Sequence, residues 1–472
     1  MDRRQFLAAA SAAALTPGVA GAAASARWIS TTQAAPWRDL SGQLQAASGD
    51  ADIHLDSMTT FQTVEGFGGC FNELGAVALN ALPAPARAEV LDSLFSAGTA
   101  NFTVCRLPIG ASDYAIDWYS HDEHDGDFAM AQFSIARDEG RLIPYIQSAH
   151  SRQPGLKLWA SPWSPPTWMK TNKHYAMAMP GPGQPDNGLR PDQVGHDHQD
   201  YFIQDDRYFA AYALYFRKFV DAYRGHGLPI AMVMPQNEFN SAQIFPSCCW
   251  TPQGLARFIP YLGKALEGSS TDIFFGTMER PDTALFETVF NDPKAGPYIK
   301  GVGLQWGGKG AAPILHHDHP DLAIYQTEQE CGDGQNDWRY ARYTWTLMKH
   351  YLNNGARVYD YWNIALPAGG ASTWGWKQNS LVSVDLQTGA FTYNPEYYLL
   401  RHMSQFVRPG AKRIAALSWT GYENELAFLN PDGSIVVLIQ NDMASDMPVR
   451  LQLGDRVVGA NLPADSFNTL VL

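Results

Sequence analysis

The chain has 472 residues, 45% of them hydrophobic, enough for a large barrel and a second domain. Its formal net charge of −13 argues against a nucleic-acid partner, because phosphate binding needs a basic face. After residue 26 no stretch offers ~20 uninterrupted apolar residues, so no integral membrane segment is expected in the mature chain.

Residues 1–26 read as a signal peptide of twin-arginine type. Arg3-Arg4-Gln5-Phe6-Leu7 comes first, an alanine-rich apolar stretch follows, and Ala20-Gly21-Ala22 and Ala24-Ser25-Ala26 are small-residue cleavage patterns. The mature protein is therefore expected in the periplasm or outside the cell. Eight short strand-like runs then alternate with amphipathic stretches, at 63–68, 102–107, 156–161, 231–236, 273–276, 301–304, 322–326 and 358–362. Residues 208–223 carry an apolar face at helical period before Gly225, and 254–266 form a second helical pattern. This alternation predicts an α/β fold, a (β/α)8 TIM barrel over 61–385. The loop 170–206 is rich in Gly, Pro and Asp, too long for a connector, and is expected to shape a site. After about Asn379 the texture changes to short strands at 413–417, 425–429, 434–439, 448–453 and 469–472. Turns such as Asn430-Pro431-Asp432-Gly433 separate them, the pattern of an appended antiparallel β-sandwich domain, 386–472.

Two glutamates end strand-like runs. Glu238 sits in Met234-Pro235-Gln236-Asn237-Glu238-Phe239, after the fourth, and Glu328 in Tyr325-Gln326-Thr327-Glu328, at the end of the seventh. Two carboxylates at the carboxyl ends of barrel strands suit retaining glycoside hydrolysis, one as nucleophile and one as proton donor. Asn237 strengthens the pattern, since an amide there can donate to a sugar 2-OH as the oxocarbenium ion forms. Glu330 is a rival for Glu328, but Cys331-Gly332-Asp333-Gly334 is loop chemistry, which favours a strand ending at Glu328. Asp113, after the second strand, is a candidate acceptor for a sugar hydroxyl. Trp163 and Trp168 flank prolines after the third strand and are expected on a fixed loop at the barrel mouth. Trp362 ends the eighth strand and is a candidate floor for the sugar.

Other patterns fail. Gly303 to Lys309 resembles a phosphate loop, but Gly310 replaces the required Ser or Thr. Gly66-Phe67-Gly68-Gly69 lacks the third glycine of a dinucleotide fingerprint, and no Gly-x-Ser-x-Gly elbow occurs. His316, His317, Asp318 and His319 precede Pro320 and read as a solvated turn rather than a metal site. The 5 cysteines are an odd number and read as buried or incidental, not as a disulfide scaffold. No metal or cofactor is called for.

These residues resemble glycoside hydrolase family 30, the glucosylceramidase-like group, over nearly the whole mature chain. The resemblance is carried by Gly66-Phe67-Gly68-Gly69, by Arg106 to Tyr114, and by Ser161-Pro162-Trp163-Ser164-Pro165-Pro166-Thr167-Trp168-Met169-Lys170-Thr171-Asn172. Gln236-Asn237-Glu238, Thr327-Glu328 and His402-Met403-Ser404-Gln405-Phe406-Val407-Arg408-Pro409-Gly410 complete it. It implies that residues 27–60 join the C-terminal strands in a β-sandwich packed on the barrel. It implies Glu238 as acid/base and Glu328 as nucleophile, with Asp113, Trp163, Asn237 and Trp362 lining the glycone site. Two departures occur. Phe239 stands where the family commonly has Pro, and Leu304-Gln305-Trp306-Gly307-Gly308 where glucosylceramidases commonly have His-Trp-Tyr. Gln305 and Trp306 are therefore candidate substrate-binding residues that reshape the leaving-group side.

The implied activity is retaining hydrolysis of a β-glucoside, glucosylceramide or a relative, which would place the chain in carbohydrate or sphingolipid metabolism. A β-1,6-glucan or another β-glycoside is the alternative substrate. A non-catalytic glycan-binding protein is the alternative of another class, and the intact Glu238 and Glu328 argue against it. The expected partner is a carbohydrate or glycolipid; the oligomeric state is not legible.

Overall fold

Eight parallel strands close into a barrel: Gly66–Cys70, Val104–Pro108, Lys157–Ser161, Ile230–Val233, Asp272–Met278, Ile299–Gln305, Ala323–Glu328 and Ala356–Asn363. This computed structural model describes residues 26–472, so the signal reading of 1–26 lies outside the described residues apart from Ala26. Each strand pairs with the next, and the eighth returns to the first with Val358 opposite Gly66. Every one of them overlaps a run expected from the sequence. Strands such as Gly66–Cys70 and Ala323–Glu328 are buried along their whole length and therefore show no alternation of buried and exposed residues. Inside the barrel, Val104, Trp159, Met232, Met234, Phe274, Tyr325 and Val358 pack into one cluster beneath the site.

The glycines of the first strand serve packing. A Cβ on Gly68 would lie 1.7 Å from the carbonyl oxygen of Val104, so only glycine lets the first and second strands approach this closely. The helix Asp206–Gly225 starts at Asp205, whose side chain accepts from the N–H of Arg207. The helix Pro252–Leu266 starts at Thr251, which accepts from the N–H of Gly254, and packs against the first. All five cysteines are buried and unpaired. The His316 segment differs from its expected turn: Pro313 starts a short helix, Ala312–Asp318, that includes His316 and His317, while His319 pairs with Glu287 at 2.6 Å.

The second domain is a β-sandwich whose strands form a 10-stranded sheet drawn from both ends of the chain. The N-terminal strands Arg27–Thr32 and Ile53–Thr63 pair with Ser466–Val471 and Lys412–Ser418. Glu425–Leu429, Ile435–Asn441, Met447–Leu453 and Arg456–Leu462 complete the larger strands. Arg456–Leu462 is absent from the sequence-based expectation because Arg456, Gly459 and Asn461 break its apolar run, and only Ala460 and Leu462 in it are buried. Trp28, Ile53, Leu55, Val437, Leu451 and Leu470 fill the core of this domain. Before it, a 3-stranded sheet (Ala365–Pro367, Val382–Val384, Phe391–Tyr393) and the helix Pro395–Ser404 pack beside the barrel.

His402 pins that helix to both ends of the chain. Its ring nitrogens lie 2.8 Å from the hydroxyls of Thr469 and Thr31, and the side chain is fully buried. Burial, with the nearby Arg401 charge, holds its pKa down to about 3, so it is neutral in the fold. An unfolded imidazole binds its proton at about pH 6.5. Between those values the unfolded state binds more protons, so stability falls as pH drops through that window. His402→Gln removes this titration. It is expected to lower stability at pH 7 by about 1–3 kcal/mol and to flatten the acid-side fall of the thermal midpoint; an unchanged acid slope would take His402 out of this account.

Candidate active site

Glu328 is the last residue of the seventh strand, and Glu238 follows the fourth strand after four residues, 234–237. Glu238 takes a left-handed backbone, φ +43. Its N–H donates to Thr277 Oγ1 at 3.0 Å, and the N–H of Asn237 donates to the carbonyl of Pro162 at 2.7 Å. Phe239, buried against Phe275, anchors the far side of the turn. Such a conformation in a non-glycine residue persists only where its surroundings over-determine it, and it aims the Glu238 carboxyl inward. Both glutamates line one cavity of about 340 Å³ at the carboxyl ends of the strands.

Gln305 joins the two. Its amide nitrogen lies 3.3 Å from Oε1 of Glu238 and 3.2 Å from Oε2 of Glu328. Two legs of that length keep those two oxygens no farther apart than the lower limit of the roughly 6.5–9.5 Å range of inverting glycosidases, and they admit the ~5–5.5 Å of retaining ones.

The two carboxyls differ in their surroundings. Glu328 accepts from Arg106 Nη1 at 2.9 Å and Gln305 on one oxygen, and from Trp306 Nε1 at 2.9 Å on the other. Burial raises its pKa, and Arg106, Trp306 and Gln305 pull it back. Glu238 accepts only from the amides of Gln305 and Gln243, each at 3.3 Å. Burial raises its pKa well above the ordinary value, and the charges of Glu328, Glu279 and Asp113 raise it further. The pair therefore shares one proton, held on Glu238, while Glu328 stays ionised.

Arg106 is the buried cation beside the two glutamates. It is fully buried, and its Nη2 donates to Asn237 Oδ1 at 2.6 Å and Ser161 Oγ at 2.9 Å. Its guanidinium lies 4.3 Å from the ring centre of Trp163, 4.9 Å from Trp159 and 5.1 Å from Trp362. The sequence reading did not single out Arg106. The signal was present: an Arg inside the apolar run Val-Cys-Arg-Leu-Pro has to be paired once buried. Glu279 was missed too, although it stands just after the fifth strand, in a place like that of Glu238. It lines the same cavity.

The other expected site residues divide. Asp113 and Asn237 line the cavity. Asp113 Oδ2 accepts from Trp362 Nε1 at 3.3 Å, and its Oδ1 is buried without a partner among the described residues. Asn237 has its carbonyl oxygen occupied by Arg106, Thr277 and Gln305, which leaves its NH₂ as the free donor. Trp163 and Trp306 also line the cavity. Trp362 lies against Trp163, ring centres 5.0 Å apart, and both are buried; Trp163 is the one of the two that lines the cavity, which Trp306 and Trp376 line as well. Gln305 is fully buried and acts through the two glutamates. Trp168 turns away from the cavity: its indole donates to the carbonyl of Asp122 and its ring packs on Phe128. Glu330 points elsewhere and pairs with Lys309. The long loop reaches the site through Asp197, which accepts from the N–H of Ala242 at 2.8 Å and from Arg280 at 3.2 Å. It braces the segment after Glu238 and does not itself line the cavity.

The profile described as "Glycosyl hydrolase family 30 TIM-barrel domain" matches residues 64–407, and "Glycosyl hydrolase family 30 beta sandwich domain" matches 410–470. The mouse (Mus musculus) lysosomal acid glucosylceramidase is 30% identical over 429 residues, covering 84% of this chain and 79% of the relative. An endo-1,6-β-D-glucanase of Aspergillus fumigatus is 28% identical over 445 residues, covering 87% of this chain and 85% of the relative. Among solved structures, SrfJ from Salmonella typhimurium superposes with a TM-score of 0.81 at 25% identity, covering 95% of this chain and 99% of that one.

Arg106→Met keeps much of the volume but strands Glu328 and Asn237 in the interior. Breaking a buried ion pair from one side costs about 3–5 kcal/mol. Urea unfolding of the variant should show a loss of that size. The acid limb of kcat/KM should also move to higher pH, because the cation that lowers the Glu328 pKa is gone.

Proposed function

Because the chain belongs to glycoside hydrolase family 30, and is a retaining β-glycosidase, we propose that it cleaves a β-linked glucoside with Glu328 as nucleophile and Glu238 as acid/base. The observation that carries this reading is the single amide of Gln305 within hydrogen-bond reach of both carboxyls. In the first step Glu328 attacks the anomeric carbon, and the glycosidic oxygen takes the proton of Glu238 as it leaves. The carboxylate becomes an ester to the sugar. In the second step Glu238 takes a proton from water, which attacks the anomeric carbon and releases the sugar with its original configuration. The free NH₂ of Asn237 suits the 2-OH, the open Oδ1 of Asp113 suits another ring hydroxyl, and Trp163 offers a face for the apolar side of the pyranose.

Glucose as the glycone is supported by the relatives, a glucosylceramidase and an endo-1,6-β-D-glucanase, both named for a substrate that contains glucose. Action in the periplasm or outside the cell is supported by the twin-arginine start of 1–26.

Glu328→Gln should lower kcat on an aryl β-glucoside by roughly 10⁴–10⁶-fold while leaving sugar binding measurable by calorimetry. NMR of the first product formed by the unaltered enzyme should show the β anomer ahead of mutarotation. Appearance of the α anomer, or undiminished turnover in Glu328→Gln, would reject the assignment.

A further inference from the structure

Double displacement employs two carboxyl groups, and this cavity holds others. Asp113 faces the sugar side, next to Trp362 and Trp163. Glu279 has no part in the reaction as derived. It is 3% exposed, its Oε1 accepts from Ser241 Oγ at 3.2 Å, and Arg280 stands 3.7 Å from the same oxygen. Its Oε2 is buried and has no hydrogen-bond partner among the described residues. A buried carboxylate oxygen with no donor is costly, and a donor from a ligand offsets that cost.

We propose that Glu279 is the specificity residue of the leaving-group side, its Oε2 accepting a hydroxyl of a leaving group that is itself a sugar. The inference rests on the glycosidase reading above. Three observations point this way. Glu238 delivers its proton to the leaving group, and Glu279 is the neighbour whose charge bears on Glu238 most strongly after Glu328. The wall around it carries Ser241, Gln243 and Arg280 beside Phe245 and Pro281. Hydroxyls on a ring can satisfy those groups, whereas alkyl chains would strand them. Arg280 is itself tied down by Asp197 and Ser241, at 3.2 and 3.1 Å, and Ser241 in turn donates to Oε1, which leaves Oε2 as the open acceptor.

The test compares kcat/KM on a β-1,6-linked glucose disaccharide, an aryl β-glucoside and glucosylceramide in detergent, for the unaltered protein, Glu279→Gln and Glu279→Leu. The disaccharide-to-aryl ratio should fall roughly 10–100-fold in Glu279→Leu and less in the isosteric Glu279→Gln, whose amide oxygen still accepts. The glucosylceramide-to-aryl ratio should not fall with it. In both variants the basic limb of the pH profile should move to lower pH on every substrate, because one charge raising the Glu238 pKa is removed. Equal losses on disaccharide and aryl glucoside would mean Glu279 acts only through Glu238 and would overturn the proposal. So would an unaltered protein that prefers glucosylceramide to the disaccharide. Should Glu279→Leu not fold, the ratio in Glu279→Gln decides, and a ratio unchanged there rejects the idea. No turnover of any β-glucoside by the unaltered protein would instead bring down the glycosidase reading itself.

Discussion

One buried guanidinium sets the charge state of this site. Asp113, Glu238, Glu328 and Asp360 converge on the upper barrel, and Arg106 is the fully buried cation among them. Burial pushes all four carboxyls toward their neutral forms. Only Glu328 touches the guanidinium, so the negative charge settles there. The indoles of Trp159, Trp163 and Trp362 take part of the place of water around the cation, and Ser161, Asn237 and the carbonyl of Thr327 accept from it, while its Nε has no partner among the described residues. The same contact orients Asn237, whose carbonyl faces Arg106 and whose NH₂ is left for a ligand. Choice of the ionised group and placement of a sugar-binding amide thus follow from one side chain.

Rigidity around the site comes from segments that do not touch it. The loop 170–206 is held by Lys170, buried and donating to the carbonyls of Tyr175 and Ser247 at 3.0 and 2.6 Å. Asn172 bonds Ala176 and Gln193, and Asn187 bonds Ala178 and Ile244. Asp197 then passes this order to Ala242 and Arg280, beside Glu238. Loops held by buried polar anchors keep catalytic groups in place at little entropic expense on binding.

What the sequence made legible follows from the same physics. The two glutamates were readable because each stands where a strand runs out, and a barrel puts all such points on one rim. The family motifs carried the rest of the sugar side. Arg106 escaped because period-2 alternation is lost in strands buried on both faces, so the run Val104–Pro108 shows that its Arg must be paired but not that it turns toward the site. Glu279 escaped because its strand, Asp272–Met278, extends past the expected run at 273–276 and ends beside it. Trp163 and Trp168, five residues apart on a proline-fixed loop, were equivalent by residue type, and the family resemblance alone pointed to Trp163. The packing of Trp168 on Phe128 and Tyr208 turns it away from the cavity.

The shared proton also explains how one residue serves as acid and then as base. Burial first, and then the charge on Glu328, keep Glu238 protonated in the resting site. In the proposed cycle, attack on the sugar turns Glu328 into an ester and abolishes that charge. The largest electrostatic reason for Glu238 to hold its proton disappears at the moment the proton has been given to the leaving group. Gln305 sits between the two and donates to whichever oxygen carries negative charge, Glu328 before the transfer and Glu238 after it. The switch from donor to acceptor therefore needs no conformational change, only the covalent bond that the reaction itself makes.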